Sequence, residues 1–272
     1  MAKTNPIDIY KHLNRSNCRK CGLPTCMAFA AAVINADKAL SDCPHIDKQT
    51  AAQLEADIVR REPDNELQNI LAPLKKDISD INFQSIAAGI GAEIAGSRLR
   101  IKCLGKDFFV SRNGEIESSI HINVWISIPL LRYIKTGGSS RPGGKWISFE
   151  ELENGPSMAP YFKRRCEGPM RQFAESHTDI FFDLLNIFGA NKAEGFSADF
   201  AQVIYPLPRV PFLILYSRPD EQFESNLRIL LDSSTNSYLD THSVYVLGRG
   251  IVEMFKNILS RHEEIMPSLL AL

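Results

Sequence analysis

Four of the six cysteines fall within the first sixth of the chain, as Cys18, Cys21, Cys26 and Cys43, in the pattern C-x2-C-x4-C-x16-C. No other feature restricts the fold as much, because sulfurs sharing one centre tie a loop, a helix and a returning segment together. Cys18 and Cys21 are close enough in the chain for both sulfurs to point at one centre. Cys26 opens a run of small and apolar residues, from Met27 through Phe29 and Ala30 to Val33 and Ile34. That run reads as a helix to about Lys38. Cys43 follows it and can return to the same centre. Four thiolates around one point suit either a tetrahedral zinc or the four irons of a [4Fe–4S] cube.

The spacing separates the candidate chemistries. Disulfides fit poorly, since nothing at the N-terminus suggests export and 272 residues do not need staples. Structural zinc sites usually draw their ligands from two close pairs, whereas Cys43 has no partner three or four residues away. An iron–sulfur cube tolerates three clustered ligands and one remote ligand followed by Pro, and Cys43-Pro44 supplies that ending. Gly22 permits a tight turn that brings N–H groups near sulfur, and a helix starting near Cys26 directs its positive end at the centre. Arg19 and Lys20 add positive charge between two ligands, or are simply solvated. His12 reads as a surface or packing residue, because four cysteines already suffice.

These residues carry a resemblance. Ile7 to Leu13, then Asn17-Cys18-x-x-Cys21-Gly22-x-Pro24-x-Cys26-Met27-Ala28-Phe29-Ala30, then Asp42-Cys43-Pro44, closely resemble the small [4Fe–4S] domain of the corrinoid iron–sulfur protein large subunit. That family shuttles methyl groups in the anaerobic acetyl-CoA pathway, and similar domains occur in electron-transport subunits of anaerobes. The resemblance covers about residues 5 to 60. It implies a [4Fe–4S] cluster on Cys18, Cys21, Cys26 and Cys43 and an anaerobic host. It does not extend to corrinoid binding. The remainder, with Gly144 to Phe149 and Arg228 to Ser234, resembles a domain of unknown function from anaerobic bacteria and archaea.

A net charge of −1 argues against general nucleic-acid binding. No apolar run approaches the roughly 18 residues of a membrane span, and Met1 to Pro6 lacks the apolar core of a signal peptide. A cytoplasmic, reducing location is expected.

Along the chain, residues 6 to 16 and about 48 to 61 read as helices, with a linker near 62 to 72 and mostly helix from 74 to 95. Gly89, Gly91 and Gly96 lack the dinucleotide spacing and suggest close packing of a helix end. Strands are expected at Arg98 to Leu104 and Asp107 to Val110, with Asn113-Gly114 marking a further hairpin turn. Ile120 to Lys135 reads as an apolar helix kinked or ended in part by Pro129. The loop from Gly137 to Trp146 lacks the Gly at 139 and the Ser or Thr at 146 that a phosphate loop needs. It reads as a flexible loop before a strand at Trp146 to Phe149, with a binding role as the minority view. Helices follow over Ser157 to Cys166 and Pro169 to Phe188, with Phe173, His177 and Phe181 on a core face. Cys103 is expected to be buried, and Cys166 sits among charges. Strands at Phe200 to Tyr205, Pro211 to Tyr216 and Leu227 to Asp232 precede a closing helix from Gly248 to Arg261. Asp220, Glu221, Glu224 and Asp232 could hold a divalent cation, although turn and surface carboxylates are far commoner.

The expected architecture is a small helical iron–sulfur domain over residues 1–61 and a larger mixed α+β domain over 73–272. The leading functional expectation is a one-electron carrier. The resemblance implies a redox partner such as a corrinoid protein or a low-potential oxidoreductase. The alternative is a redox-sensing or structural cluster in an interaction or assembly protein. No nucleophile–base constellation supports a stand-alone enzyme.

Overall fold

The computed structural model describes residues 6–34, 38–47, 49–51, 54, 63–120, 122–138 and 140–269. The chain divides into two compact units between Asn69 and Ile70.

The first unit is short and largely irregular. Helix α1 (Pro6–Tyr10) begins on Pro6, whose missing N–H costs nothing in a first turn. It stops well before residue 16 because Asn14 competes for the backbone. The Asn14 side-chain oxygen accepts from the Ser16 N–H at 3.1 Å and from its hydroxyl at 2.8 Å. Arg15 and Asn17 then take φ of 59° and 50°, outside any right-handed helix. Helix α2 (Cys26–Ile34) buries Cys26, Phe29, Ala30, Val33 and Ile34, spaced to share one face. Residues 35–37, which the sequence reading placed at its end, lie outside the described residues. A 3-10 turn at Leu40–Asp42 seats Leu40 at 0 % exposure. Most of the helix expected over 48–61 also lies outside the described residues, although Ala51 and Leu54 join the core of Ile9, Phe29 and Leu40. Residues 62–72 were expected to be a linker, yet α3 (Pro63–Ser79) is helical throughout. Pro63 occupies the first helical position, where it starts a helix rather than breaking one.

The second unit holds two antiparallel sheets. Where mostly helix was expected to residue 95, only α4 (Phe83–Ile86) follows α3, capped by the Asn82 side chain accepting from Gln84 N–H at 3.0 Å. Strands β1 (Glu93–Ala95), β2 (Arg98–Cys103), β3 (Lys106–Val110) and β4 (Ile116–Ser118) pair in chain order. The β2–β3 turn is Leu104-Gly105, both with positive φ (47° and 71°), the twist that suits a two-residue hairpin. Asn113-Gly114 does turn β3 into β4, with Gly114 N–H donating to the Ser111 carbonyl at 2.9 Å.

The second sheet comprises β5 (Trp146–Ile147), β6 (Asn191–Lys192), β7 (Phe200–Leu207), β8 (Val210–Ser217) and β9 (Asn226–Asp232), in the order β5-β9-β8-β7-β6. Strand β8 lies between long neighbours and is buried from Val210 to Ile214, so it reads as a continuous apolar run. Pro206 and Pro211 cannot donate to a ladder, and the register shifts between Ile204 and Leu207 opposite Pro211. That bulge frees the Tyr205 carbonyl, which accepts from Leu104 N–H at 2.9 Å and links the two sheets.

The helices of this unit are α5 (Val124–Thr136), α6 (Gly155–Phe162), α7 (Gly168–Ser176), α8 (Thr178–Ile187) and α9 (Thr241–Leu269), with a π-helical turn at Lys163–Glu167 between α6 and α7. Asn123 caps α5 and Gly137, at φ 61°, ends it. Pro129 sits inside α5 and does not end it. Lacking an N–H, it leaves the Trp125 carbonyl without its helical donor, and Gly250 of α9 packs against that residue. A Cβ on Gly250 would stand 2.8 Å from the Trp125 Cβ. Close approach thus explains a glycine inside α9, which starts seven residues earlier than expected. Asp240 opens it, accepting from Ser243 N–H at 2.7 Å. Strands gather into two blocks with helices around them, the segregated pattern of an α+β fold. Among the described residues no helix is long and apolar enough to cross a membrane.

Candidate iron–sulfur site

Residues 14–25 lack regular structure, and their conformation comes from local polar chemistry. Arg19 has φ 61° and Gly22 has φ 79°. Gly22 N–H donates to the Arg19 carbonyl at 2.9 Å, which closes a tight turn around Lys20 and Cys21. Glycine tolerates the left-handed conformation that ends this turn. Asn17 reaches across the loop, and its side-chain oxygen accepts from the Cys26 N–H at 2.8 Å. Thr25 Oγ1 accepts from Ala28 N–H at 3.0 Å. Two side chains therefore satisfy N–H groups that the start of α2 leaves without helical partners. The Cys26 sulfur leaves the backbone in that first turn, near the positive end of the helix.

The four cysteines have different surroundings in one unit. Cys26 and Cys43 are 7 % and 6 % exposed and belong to the same core as Phe29 and Leu40. Cys43 closes the 3-10 turn, its N–H donating to the Leu40 carbonyl at 3.1 Å. Cys21 packs against the edge of that core, and Cys18 is half-buried. The Lys20 backbone N–H is the main influence lowering the Cys18 pKa below the usual thiol value. Desolvation opposes it, while the Ser16 hydroxyl and the Lys20 charge assist it. All four are free thiols, so the donor set fits a thiolate-held cluster. Among the described residues, however, no three Cys, His, Asp or Glu side chains stand close enough together to hold a metal ion. Cys21, Cys26 and Cys43 share one small core, and Cys18 lies three residues before Cys21.

Other residues that drew attention in the sequence have structural placements. Cys103 and Cys166 are 1 % and 0 % exposed, and burial pushes both thiols up. Cys166 lies against Gly248, where an added Cβ would be 3.2 Å from its sulfur. Of its charged sequence neighbours, Glu167 is partly buried beside it and adds to the upward push on its thiol. His177 sits between α7 and α8, its ring 5.7 Å from that of Phe173, as a packing residue.

The four acidic residues are not one group. Asp220 Oδ1 accepts from Gln222 N–H at 2.8 Å and Phe223 N–H at 2.7 Å, which closes a turn. Asp232 is 0 % exposed and organises the glycine-rich loop. Its carboxylate accepts from Gly144 N–H at 2.7 Å, Ser234 N–H at 2.9 Å and Ser234 Oγ at 2.7 Å. Burial alone would raise its pKa, but these hydrogen bonds outweigh burial and hold it below the usual carboxylate range. The Tyr238 hydroxyl donates to the Ser140 carbonyl and its ring stacks on Tyr133 at 5.3 Å. Gly89 packs under Gly138, an added Cβ lying 3.0 Å from that carbonyl, as the close-packing reading expects. The loop is held by a scaffold of side chains, a role for Asp232 that sequence reasoning missed. Asp232 followed by Ser234 was the available signal.

Comparison with known proteins agrees with this division. The family described as "Putative Fe-S cluster" matches residues 13–45, which contain all four cysteines. The family described as "Domain of unknown function (DUF3786)" matches residues 82–254. The chain belongs to this DUF3786 family. Among relatives, the acetyl-CoA decarbonylase/synthase complex subunit gamma 1 of Methanosarcina thermophila is 34 % identical over 125 residues, covering 44 % of this chain and 24 % of that protein. The gamma subunit of Methanocaldococcus jannaschii is 45 % identical over 42 residues, covering 15 % of this chain and 9 % of that protein. The corrinoid/iron-sulfur protein large subunit of Moorella thermoacetica is 38 % identical over 50 residues, covering 18 % of this chain and 11 % of that protein. The chain thus spans about a quarter or less of the length of these relatives. No solved structure matches it. The DUF3786 chain carries an iron–sulfur segment at its N-terminal end.

Proposed function

We propose that Cys18, Cys21, Cys26 and Cys43 together hold one [4Fe–4S] cluster, through which the chain exchanges single electrons with a partner protein in anaerobic one-carbon metabolism. The observation that carries this reading is the set of four free thiols in one short segment, with Cys26 and Cys43 buried in a small core, Cys21 packed against it and Cys18 half-buried. Cys26 and Cys43 enter from elements anchored by Phe29 and Leu40, which shield that side from water. Cys18 and Cys21 enter from a loop shaped by side-chain hydrogen bonds, without a strand or helix ladder to disrupt. The Lys20 N–H beside Cys18 offsets negative charge on sulfur. A cluster with four protein ligands leaves no iron open to substrate and supplies one-electron transfer.

The resemblance supports a corrinoid protein or a low-potential oxidoreductase as the partner. The relatives are named as subunits of a complex, which supports work in an assembly. A reducing cytoplasm follows from the same reading, since thiolate ligands persist there. Iron, acid-labile sulfide and zinc per chain, measured on protein purified without oxygen, test it. About four irons and four sulfides support the cube. One zinc without sulfide overturns it. Repeated reduction and reoxidation with retained cluster absorption supports the carrier. A partner interaction that switches with cluster state but passes no electrons would indicate a sensor.

A further inference from the structure

The segment carrying the first three cysteines has an unusual charge pattern. From residue 9 to residue 36 it contains Lys11, Arg15, Arg19 and Lys20 and not one Asp or Glu. Lys11 is neutralised by Asp8 at 3.1 Å. The Arg15 guanidinium lies over the Tyr10 ring, 5.3 Å from its centroid, and donates to the Lys11 carbonyl at 3.4 Å, so it is held against α1. Arg19 and Lys20 are exposed, and among the described residues neither pairs with a carboxylate. Both stand on the turn between Cys18 and Cys21, the two half-buried cysteines, while Cys26 and Cys43 are turned into the core. The accessible side of the cysteine set is therefore also the positively charged side.

We propose that this Arg19–Lys20 corner is the docking surface of the module, and that its occupant is a redox protein presenting carboxylates around its own redox centre. The inference rests on the electron-transfer reading above. Electron tunnelling favours the shortest path, and Cys18 and Cys21 lie nearest to solvent. The two exposed cations there attract an acidic partner over about a Debye length, orient it, and speed its arrival. They do so without the tight apolar contact that would slow departure.

Two small oxidants of opposite charge serve as probes, used on the full chain after reduction without oxygen. One is the cobalt(III)–EDTA anion and the other is the hexaamminecobalt(III) cation. In each reaction the reduced protein loses one electron and cobalt(III) becomes cobalt(II). Iron and sulfide are counted first, so that a chain without a cluster removes the underlying reading and is not mistaken for a failed docking surface. At low salt the ratio of the anion's rate to the cation's rate, scaled by the two probes' intrinsic rates, should be about tenfold its value at high salt. Arg19→Glu with Lys20→Glu should invert that preference, and Arg19→Gln alone should reduce it. The reduction potential is measured on the same samples. If the potential shifts in the variants while the ratio of the two rates and its salt dependence stay fixed, the cations only balance cluster charge and the docking proposal is overturned.

Discussion

The two units set their cysteines in different surroundings. Cys103 and Cys166 sit at the end of a β-strand and in a π-helical turn, enclosed by apolar packing that pushes both thiols up. Cys26 and Cys43 are nearly as buried, at a helix start and after a 3-10 turn, and Cys18 and Cys21 lie in a loop and are half-buried. A strand or helix interior spends its N–H groups on its own ladder. A helix start or a left-handed turn leaves N–H groups available to sulfur. Cys103 ends β2 beside the left-handed Leu104-Gly105 turn and is still enclosed, whereas Cys18 and Cys21, two of the proposed ligands, stay half-buried, so accessibility is what separates the two sets.

Substitutions can break or sharpen this contrast. The largest effect is expected from Cys21→Ala and Cys43→Ala, each of which should lower bound iron and bleach the visible absorption, whereas Cys103→Ala and Cys166→Ala should leave iron per chain unchanged. Full iron retention in both members of the first pair would refute the ligand assignment. Next, Gly250→Ala should strike the second unit alone. Its Cβ would meet Trp125 at 2.8 Å, and overpacking of this kind costs about 1–3 kcal/mol. Urea unfolding should show the loss, and iron content should not change.

Asp232→Asn should have a similar or smaller effect, about 1–3 kcal/mol, because one carboxylate serves several N–H and O–H donors of the glycine-rich loop. The pH dependence has a definite sign. The folded carboxyl is held below its ordinary value, so its contribution is present above that value and is lost as pH falls through the lower folded pKa. Wild-type stability should therefore decline more steeply on acidification than that of Asp232→Asn. Equal slopes would show that the charge is not what holds the loop. The smallest effect is expected from Asn17→Ala, which removes the acceptor for Cys26 N–H and should cost about 0.5–2 kcal/mol. Iron should be retained less firmly against a chelator. Unchanged chelation kinetics would mean that the Asn17 bond does not support the cysteine loop.

Much of the fold was legible from local pattern. The face of α2, the hairpin at Asn113-Gly114 and the strands β7 to β9 all follow from periodicity and turn residues. Errors arose where a residue's meaning depends on position. Pro63 read as a breaker but begins α3, and Gly248 read as the start of the closing helix but lies within α9. Asn14 ended α1 early through a side-chain hydrogen bond that apolar periodicity does not register.

The amino-acid sequence by itself determined the cysteine spacing, the inventory of four thiols in one short segment, and the succession of strands and helices in the larger unit. Those depend on local order along the chain, on 3.6- and 2-residue periods and on the short reach between neighbouring cysteines. Tertiary structure alone decided that Cys26 and Cys43 face a shared core while Cys18 and Cys21 remain accessible. It also decided that Asp232 reaches across 88 positions to Gly144, and that α9 closes on α5 at Gly250. Such contacts depend on which distant surfaces meet, and a burial or hydrogen-bond partner that lies far along the chain leaves no periodic trace in it.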